Sequence, residues 1–257
     1  MKIACSVEYL GTNYYGYQEQ PDRITVQSVL ENAISSIANE QVKIFASGRT
    51  DTGVHALGQI FHFESSSLRD SNAWVRGVNS LLPTDIKIKW STPVADDFHA
   101  RFSAISREYQ YLLYNSKVSS PVWKNISGWF FAEIDEKILI TVLRNFIGIH
   151  DFSSFRSSEC QSKNPIKEIY EAKFEKKNDF FLFFFKGDGF LHHQIRNMMS
   201  VILDIASKKK NIDYLDYLFD IKDRKEASNT FSPNGLFLSN IEYDSKFNLP
   251  KIYNQVI

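Results

Sequence analysis

Residues 45–63 read FASGRTDTGVHALGQIFHF. The prediction of the fold begins with this stretch and extends from it toward both ends of the chain. A short apolar run stops at Gly48, a polar turn extends to Gly53, and an apolar run then resumes, which predicts strand, turn and strand. The turn carries Asp51 two residues after Arg49. A carboxylate beside an arginine on a turn held between strands is a candidate reactive centre. Asp and Gly are also ordinary turn formers, so the pattern alone leaves both interpretations open.

The flanking segments place this unit inside a β-α-β-β-α-β pattern. Apolar residues alternate at period two in the first segment and recur at helical spacing after Thr25, which can cap the helix. Pro83 is expected to stop the second helix. The predicted strands are Lys2–Tyr9, Val42–Ala46, Gln59–Glu64 and Ile86–Trp90, and the predicted helices run from Thr25 through Ile37 and over Leu68–Leu82.

The second half of the chain repeats this order. Its predicted strands are Ser106–Asn115, Ile166–Glu175, Phe180–Lys186 and Leu236–Tyr243, and its helices are Asp135–Ile149, Leu191–Ser207 and an added Tyr214–Phe219. Two successive β-α-β-β-α-β patterns predict an α+β fold of two fused ferredoxin-like halves, residues 1–100 and 101–257, with a boundary near residues 95–105. We expect an antiparallel sheet whose helices cover one face and leave the other open as a cleft.

Composition is that of an ordinary globular protein. The 257 residues include 30 basic and 30 acidic side chains, so the formal net charge is zero. A polyanionic partner would therefore have to be met by a local basic patch. Cys5 and Cys160 are far apart and in no CxxC spacing, so one disulfide is possible, but the pattern favours two buried or idle thiols in a reducing cytosol. The first segment lacks a signal-peptide core, and the longest apolar run, Phe180–Phe185, is too short for a bilayer span. We expect a cytoplasmic protein without membrane contact.

The sequence contains none of the motifs that would predict a metal or cofactor site. The six histidines show neither HxxxH nor HExxH spacing, and the adjacent pair His192-His193 would point in different directions on a helix. No GxxxxGK[ST], strand-bounded GxGxxG or GxSxG motif occurs. We expect no metal and no cofactor, and each histidine is expected to be a surface or packed residue.

Arginines and tyrosines form the remaining candidate constellation. Tyr109 and Tyr111 lie on one face of a predicted strand, because side chains alternate at period two. Tyrosines on an open sheet beside arginines suit unpaired bases, which offer a π-face and a phosphate. Alternate tyrosines can equally pack a core, and this reading also stays open. The arginines beside loops or element ends are Arg49, Arg101, Arg107 and Arg196.

Seven ordered segments give the chain a specific resemblance. They are VEYLGTNYYGYQ, ASGRTDTGVHALGQIFHF, GVNSLLP, DDFHARFSAISREYQYLLYN, GIHDFSSFR, GDGFLHHQIRNM and NGLFL. In these segments the chain resembles the bacterial tRNA pseudouridine synthase A family over nearly its whole length. The resemblance implies two ferredoxin-like halves around a central RNA-binding cleft, a homodimer, and no cofactor or metal. It also implies conversion of uridine to pseudouridine at positions 38, 39 and 40 of the tRNA anticodon stem-loop.

Site residues follow from the same motifs, position by position. The resemblance implies that Asp51 is the catalytic aspartate, Tyr109 the active-site tyrosine and Arg196 the arginine that pairs with the aspartate. It implies that Arg49 helps to displace the target base and that Leu236 lines an apolar pocket. Two positions depart mildly from the family pattern. Tyr17 stands where tryptophan is common, and Thr52 where alanine is common; neither departure removes a catalytic group.

Overall fold

The computed structural model describes residues 1–251 and 255–257 of the chain. Across those residues it contains ten β-strands and five α-helices. The strands are β1 (Lys2–Tyr9), β2 (Ile44–Ala46), β3 (His55–Glu64), β4 (Ile86–Pro93), β5 (Ala104–Asn115), β6 (Gly128–Phe130), β7 (Gly148–Asp151), β8 (Ile166–Lys177), β9 (Phe180–Gly187) and β10 (Leu236–Tyr243). The helices are α1 (Val26–Ala38), α2 (Ser71–Leu81), α3 (Glu136–Asn145), α4 (Gln194–Ala206) and α5 (Asp213–Ile221). Within the described ranges no helix is both long enough and apolar enough to cross a membrane.

The chain divides into two compact units. The first comprises Met1–Ser106 and Phe237–Ile257, and the second comprises Arg107–Leu236. The sequence-based halves, 1–100 and 101–257, had instead kept β10 with the second half. In the structure β10 runs parallel to β3, with Phe237 opposite His55. Those hydrogen bonds place the last strand in the first unit although it comes last in the chain.

Strand pairing in the first unit follows the order β4-β1-β3-β2, with each neighbouring pair antiparallel. Helix α1 begins as the sequence predicts, because the Thr25 hydroxyl accepts from the Ser28 backbone N–H and Ser28 completes a capping box. Helix α2 turns Trp74 into the core, where its ring lies 5.1 Å from Phe63. The expectation of a purely antiparallel sheet is wrong here, since β10 joins β3 in parallel.

The second unit is built on the antiparallel order β5-β9-β8-β7. Its core rests on alternate phenylalanines of β9, namely Phe181, Phe183 and Phe185, all of them buried. Two short strands escaped the sequence analysis. Strand β6 pairs in parallel with β5, a second exception to the antiparallel prediction, and β7 pairs with β8. Helix α3 therefore ends at Asn145, short of the predicted Ile149, because the chain there has already entered β7.

Candidate active site

The loop that carries Asp51 joins β2 to β3 and is tied to β3 at its start. The Ser47 backbone N–H donates to the Ile60 carbonyl at 2.8 Å. The side-chain amide of Gln59, which is fully buried, donates to the Gly48 carbonyl at 2.7 Å and accepts from the Ser47 hydroxyl. Buried polar groups that are satisfied in this way hold a loop in one conformation.

Asp51 opens a tight turn. The Val54 N–H donates to the Asp51 carbonyl at 3.1 Å, and Gly53, the third residue of this turn, has φ +79°. A β-turn with positive φ at its third position needs glycine there, as in type II turns. The turn-chemistry reading of this stretch is therefore confirmed for the backbone. Within the turn itself, the bond from Val54 uses the backbone carbonyl of Asp51.

Thr50 anchors the loop through two hydrogen bonds, one to Tyr9 and one to Tyr17. Its hydroxyl and that of Tyr9 share a buried hydrogen bond of 2.8 Å, and its carbonyl accepts from the Tyr17 N–H at 3.0 Å. Thr50 is buried, whereas its neighbours Arg49 and Asp51 are exposed and half-buried respectively. The loop thus buries one side chain as an anchor, and the two flanking charged residues are more exposed than this anchor.

The segment from Gly11 to Tyr17 supports the loop along its length. Gly16 has φ +78°, and a Cβ atom there would stand 2.9 Å from the Thr50 carbonyl oxygen. At the other end of the segment the Gly11 N–H donates to Nδ1 of His55 at 2.9 Å. His55 is therefore a packed residue, one of the two roles expected for the histidines, and its bond fixes the point where the loop re-enters β3.

The hydroxyl group of Tyr17, beneath this loop, is buried in a way that disfavours folding. Its ring lies 6.1 Å from Tyr9, it is almost fully buried, and its hydroxyl has no hydrogen-bond partner among the described residues. Burial, with smaller effects from Tyr9 and Glu31, raises the pKa of Tyr17 well above its ordinary value. The phenol is therefore neutral, and its unsatisfied O–H opposes folding.

We predict that Tyr17→Phe raises the free energy of unfolding by about 1 kcal/mol, because it removes a buried donor that has no acceptor. Urea unfolding of both proteins measures the difference. Tyr9→Phe is the matched control and should lower the free energy of unfolding by about 1 kcal/mol, since that hydroxyl is bonded to Thr50. A loss of stability in Tyr17→Phe as large as that in Tyr9→Phe would contradict this account.

In the second unit the two tyrosines of β5 have different roles. Tyr111 is fully buried and its hydroxyl donates to the Ser232 carbonyl at 2.8 Å, so it is a core residue. Tyr109 is half-buried, and its ring meets that of Phe190 edge-on at 5.2 Å. The core interpretation is therefore confirmed for Tyr111, and base stacking by the half-buried Tyr109 stays a prediction.

Arg196 lies in the first turn of α4 and is oriented by the segment that precedes β10. Its Nε donates to the Phe231 carbonyl at 2.9 Å, and the Phe231 N–H returns a bond to the Arg196 carbonyl at 3.3 Å. Its charge acts on Tyr111, whose pKa is raised by burial and partly lowered again by this arginine. The first bond orients the guanidinium, and the second ties the backbone of Arg196 to Phe231 as well.

Leu236 is buried at the end of the same segment. Its N–H donates to the Pro233 carbonyl at 2.9 Å, and the preceding Gly235 carbonyl accepts from Leu112 of β5 at 2.8 Å. Segment 231–236 thus bonds to Arg196 through Phe231, at the start of α4, and ends at Leu236, so both residues belong to the same part of the second unit. Arg107, another arginine noted in the sequence, donates to the Asp188 carbonyl and ties down the loop before α4.

The predicted site residues thus fall into two groups. Arg49 and Asp51 share the loop of the first unit, and Tyr109, Arg196 and Leu236 belong to the second unit. Sequence reasoning missed the anchor formed by Tyr9 and Thr50. The alternation of β1 marks Tyr9 as inward-facing, but no local signal names a partner 41 residues away.

Comparison with known proteins shows which family this chain resembles. The family model described as "tRNA pseudouridine synthase" matches residues 5–103 and 142–244. The tRNA pseudouridine synthase A of Nitrosomonas eutropha is 45% identical over 97% of this chain and 90% of its own length. That of Janthinobacterium sp. is 43% identical over 98% of this chain and 95% of its own. A solved structure of a Cbf5-Nop10-Gar1 complex aligns with 87% of this chain and 59% of its own, with 14% identity and a TM-score of 0.38.

Proposed function

The chain belongs to the tRNA pseudouridine synthase A family, and on that premise we propose that it isomerises uridine to pseudouridine at positions 38, 39 and 40 of the tRNA anticodon stem-loop. The observation that carries the proposal is the family match together with the Asp51 loop. The backbone of this loop is fixed by Gly53, by Thr50 and by the bonds to β3, and Asp51 itself is half-buried. A fixed backbone is what positions a catalytic group on a loop.

The reaction breaks the C1′–N1 glycosidic bond, turns the uracil and joins C1′ to C5. The proton leaves C5 and N1 gains one, so substrate and product are isomers and no external electron donor or acceptor is needed. Asp51 is the catalytic carboxylate of the proposal. It can attack C1′, attack a ring carbon, or assist removal of a ribose proton, and each of these roles requires the ionised form.

Arg196 keeps that carboxylate ionised in the proposed mechanism. Enclosing an aspartate raises its pKa, whereas a nearby guanidinium lowers it. The Nε bond to the Phe231 carbonyl supports this role, because it orients the planar guanidinium group. Pairing of Arg196 with Asp51 is part of the proposal and rests on the family pattern.

The other site residues act on the base. Tyr109 stacks on the uracil and takes the C5 proton, Leu236 lines the apolar wall, and Arg49 occupies the space that the flipped nucleotide vacates. Flipping a stem base costs a few kcal/mol. The exposed position of Arg49, two residues from Asp51, supports a role in offsetting that cost through a phosphate contact.

Assembly and location complete the proposal. We infer a cytoplasmic homodimer that uses no metal or cofactor and meets tRNA at a central RNA-binding cleft between two ferredoxin-like halves. The strand orders β4-β1-β3-β2 and β5-β9-β8 support the ferredoxin-like part. With no net charge on the chain, the basic surface has to be local.

Release of tritium from C5 of uridine tests the activity directly, since isomerisation exchanges that hydrogen. Unmodified tRNA transcript labelled at C5 is incubated with the purified protein, and a transcript whose uridines 38, 39 and 40 are replaced by cytidine is the control. We expect label release from the first transcript alone. Binding of the labelled transcript without release would instead indicate a non-catalytic RNA-binding protein and would refute the proposal.

A further inference from the structure

The first unit displays an aromatic surface that the proposed chemistry does not use. It consists of the rings of Phe45, His99 and Phe102 with the adjacent Arg101, and is called the FHR surface below. Phe102 is 76% exposed and Phe45 is 51% exposed. Single exposed apolar residues are common, but a cluster of exposed rings marks an interaction site.

The rings of the FHR surface form one connected group. His99 lies 4.4 Å from Phe102 and 5.8 Å from Phe45, measured between ring centroids. His62 of β3 lies beneath them, stacked with Phe45 at 5.2 Å and edge-on to His99 at 4.7 Å. His62 is itself buried. The surface is therefore a layer of rings over a packed support rather than a set of separate side chains.

Hydrogen bonds fix the loop that presents Phe102. The Arg101 N–H donates to Nδ1 of His99 at 3.1 Å, and the Ser103 N–H donates to the His99 carbonyl at 2.9 Å. The Ala100 N–H donates to Nδ1 of His62 at 3.2 Å. These bonds hold the loop in a conformation that turns the Phe102 ring outward, so its exposure is a feature of the folded loop.

Positive charge borders the rings. The Arg101 guanidinium carbon lies 5.6 Å from the centroid of Phe102. The ammonium of Lys2 donates to the Phe98 carbonyl at 3.1 Å and helps to lower the pKa of both His62 and His99, after burial. Burial takes the pKa of His62 to about 4, so this ring is neutral at neutral pH. Of the nearby acids, Asp97 is paired with Lys246 at 3.0 Å.

We propose that the FHR surface binds an unpaired nucleotide of the tRNA, stacking its base on Phe102 and Phe45 and contacting its phosphate through Arg101. Every base has a π-face, so aromatic platforms beside arginine bind single-stranded RNA regardless of sequence. Phe45 lies in β2, two residues before the Asp51 loop begins at Ser47, so the strand that carries part of the FHR surface leads directly into that loop. The inference rests on the proposed function, because it assigns a further contact to the same substrate.

Two substitutions at Phe102 and one control at Phe131 distinguish ring stacking from apolar burial. Phe102→Leu keeps an apolar side chain but loses the ring, and Phe102→Trp keeps a larger ring. Phe131→Leu changes another highly exposed phenylalanine, in the second unit, and is the matched control. Single-turnover assays with excess enzyme over unmodified tRNA give the half-saturating enzyme concentration and the maximal rate for each.

We expect Phe102→Leu to raise the half-saturating concentration about tenfold and to leave the maximal rate unchanged. Phe102→Trp and Phe131→Leu should both match the parent protein. Arg101→Ala should reduce the slope of log affinity against log salt by about one, as expected for one lost phosphate contact. Filter binding of the same tRNA repeats the comparison without turnover, so the result is independent of whether the chain is an isomerase.

Two results would overturn the inference. One is an unchanged tRNA affinity in Phe102→Leu. The other is a change in sedimentation equilibrium, in Phe102→Leu or in the more severe Phe102→Ala, in place of a change in tRNA affinity. That second result would assign the FHR surface to contact with a second copy of the chain.

Discussion

Asp51→Asn is expected to abolish pseudouridine formation while tRNA binding persists. Asparagine has nearly the same shape, and the backbone bond from Val54 to the carbonyl of residue 51 does not depend on the side chain. The substitution therefore removes the negative charge and leaves the turn intact. Loss of a residue that attacks or abstracts lowers turnover by on the order of 10⁴-fold or more.

The measurement is C5 tritium release under single-turnover conditions, with tRNA affinity determined in parallel. Thr52→Ala is the matched control, because Thr52 is the exposed neighbour in the same turn and makes neither of the bonds that anchor the loop. It should retain nearly full activity. Turnover close to that of the parent protein in Asp51→Asn would exclude the carboxylate from the chemistry, whatever the activity of Thr52→Ala.

Tyr109 carries the second large expected effect. Tyr109→Leu removes the ring that is proposed to stack on uracil and should weaken both binding and turnover. Tyr109→Phe retains the ring and its edge-on contact with Phe190 but removes the proposed acceptor of the C5 proton. We expect Tyr109→Phe to bind tRNA normally and to lower the maximal rate of C5 release by roughly 10²-fold, the lower range for loss of a general base.

Tyr114→Phe is the control for this substitution. Tyr114 is on the same strand, is also half-buried, and lies 5.2 Å from the ring of Phe180, just as Tyr109 lies 5.2 Å from Phe190. Loss of the Tyr114 hydroxyl should leave the maximal rate of C5 release unchanged. If Tyr109→Phe reacts at the parental rate while Tyr109→Leu is impaired, the residue acts through its ring alone and another group removes the C5 proton.

Local signals account for the elements that were predicted well. Strands β1 and β10 have the predicted bounds, because alternation at period two and flanking turns define them. Thr25 and Asp135 begin their helices as expected, since each side-chain oxygen accepts from backbone N–H groups within three residues. Strands β6 and β7 were missed because runs of three or four residues are too short to show a period.

The candidate site shows the same limit. The family motifs in the sequence marked Asp51, Tyr109 and Arg196 as candidate site residues. The local sequence also predicts the turn after Asp51, because Gly53 can adopt the positive φ that the turn requires. Alternation put Tyr109 and Tyr111 on one face but could not say which is enclosed. That depends on Ser232 and Phe231, more than a hundred residues later in the chain.

The sequence by itself determined the α+β pattern, the turn that presents Asp51, and the family. Tertiary structure decided that β10 pairs in parallel with β3, that Tyr9 anchors Thr50, and that Phe102 is displayed over His99 and His62. The physical reason lies in the range of each interaction. Periodicity and capping act between residues a few positions apart, so they are visible in order and spacing. Strand partners and buried hydrogen bonds join residues distant in the chain, and packing alone selects among the possible partners.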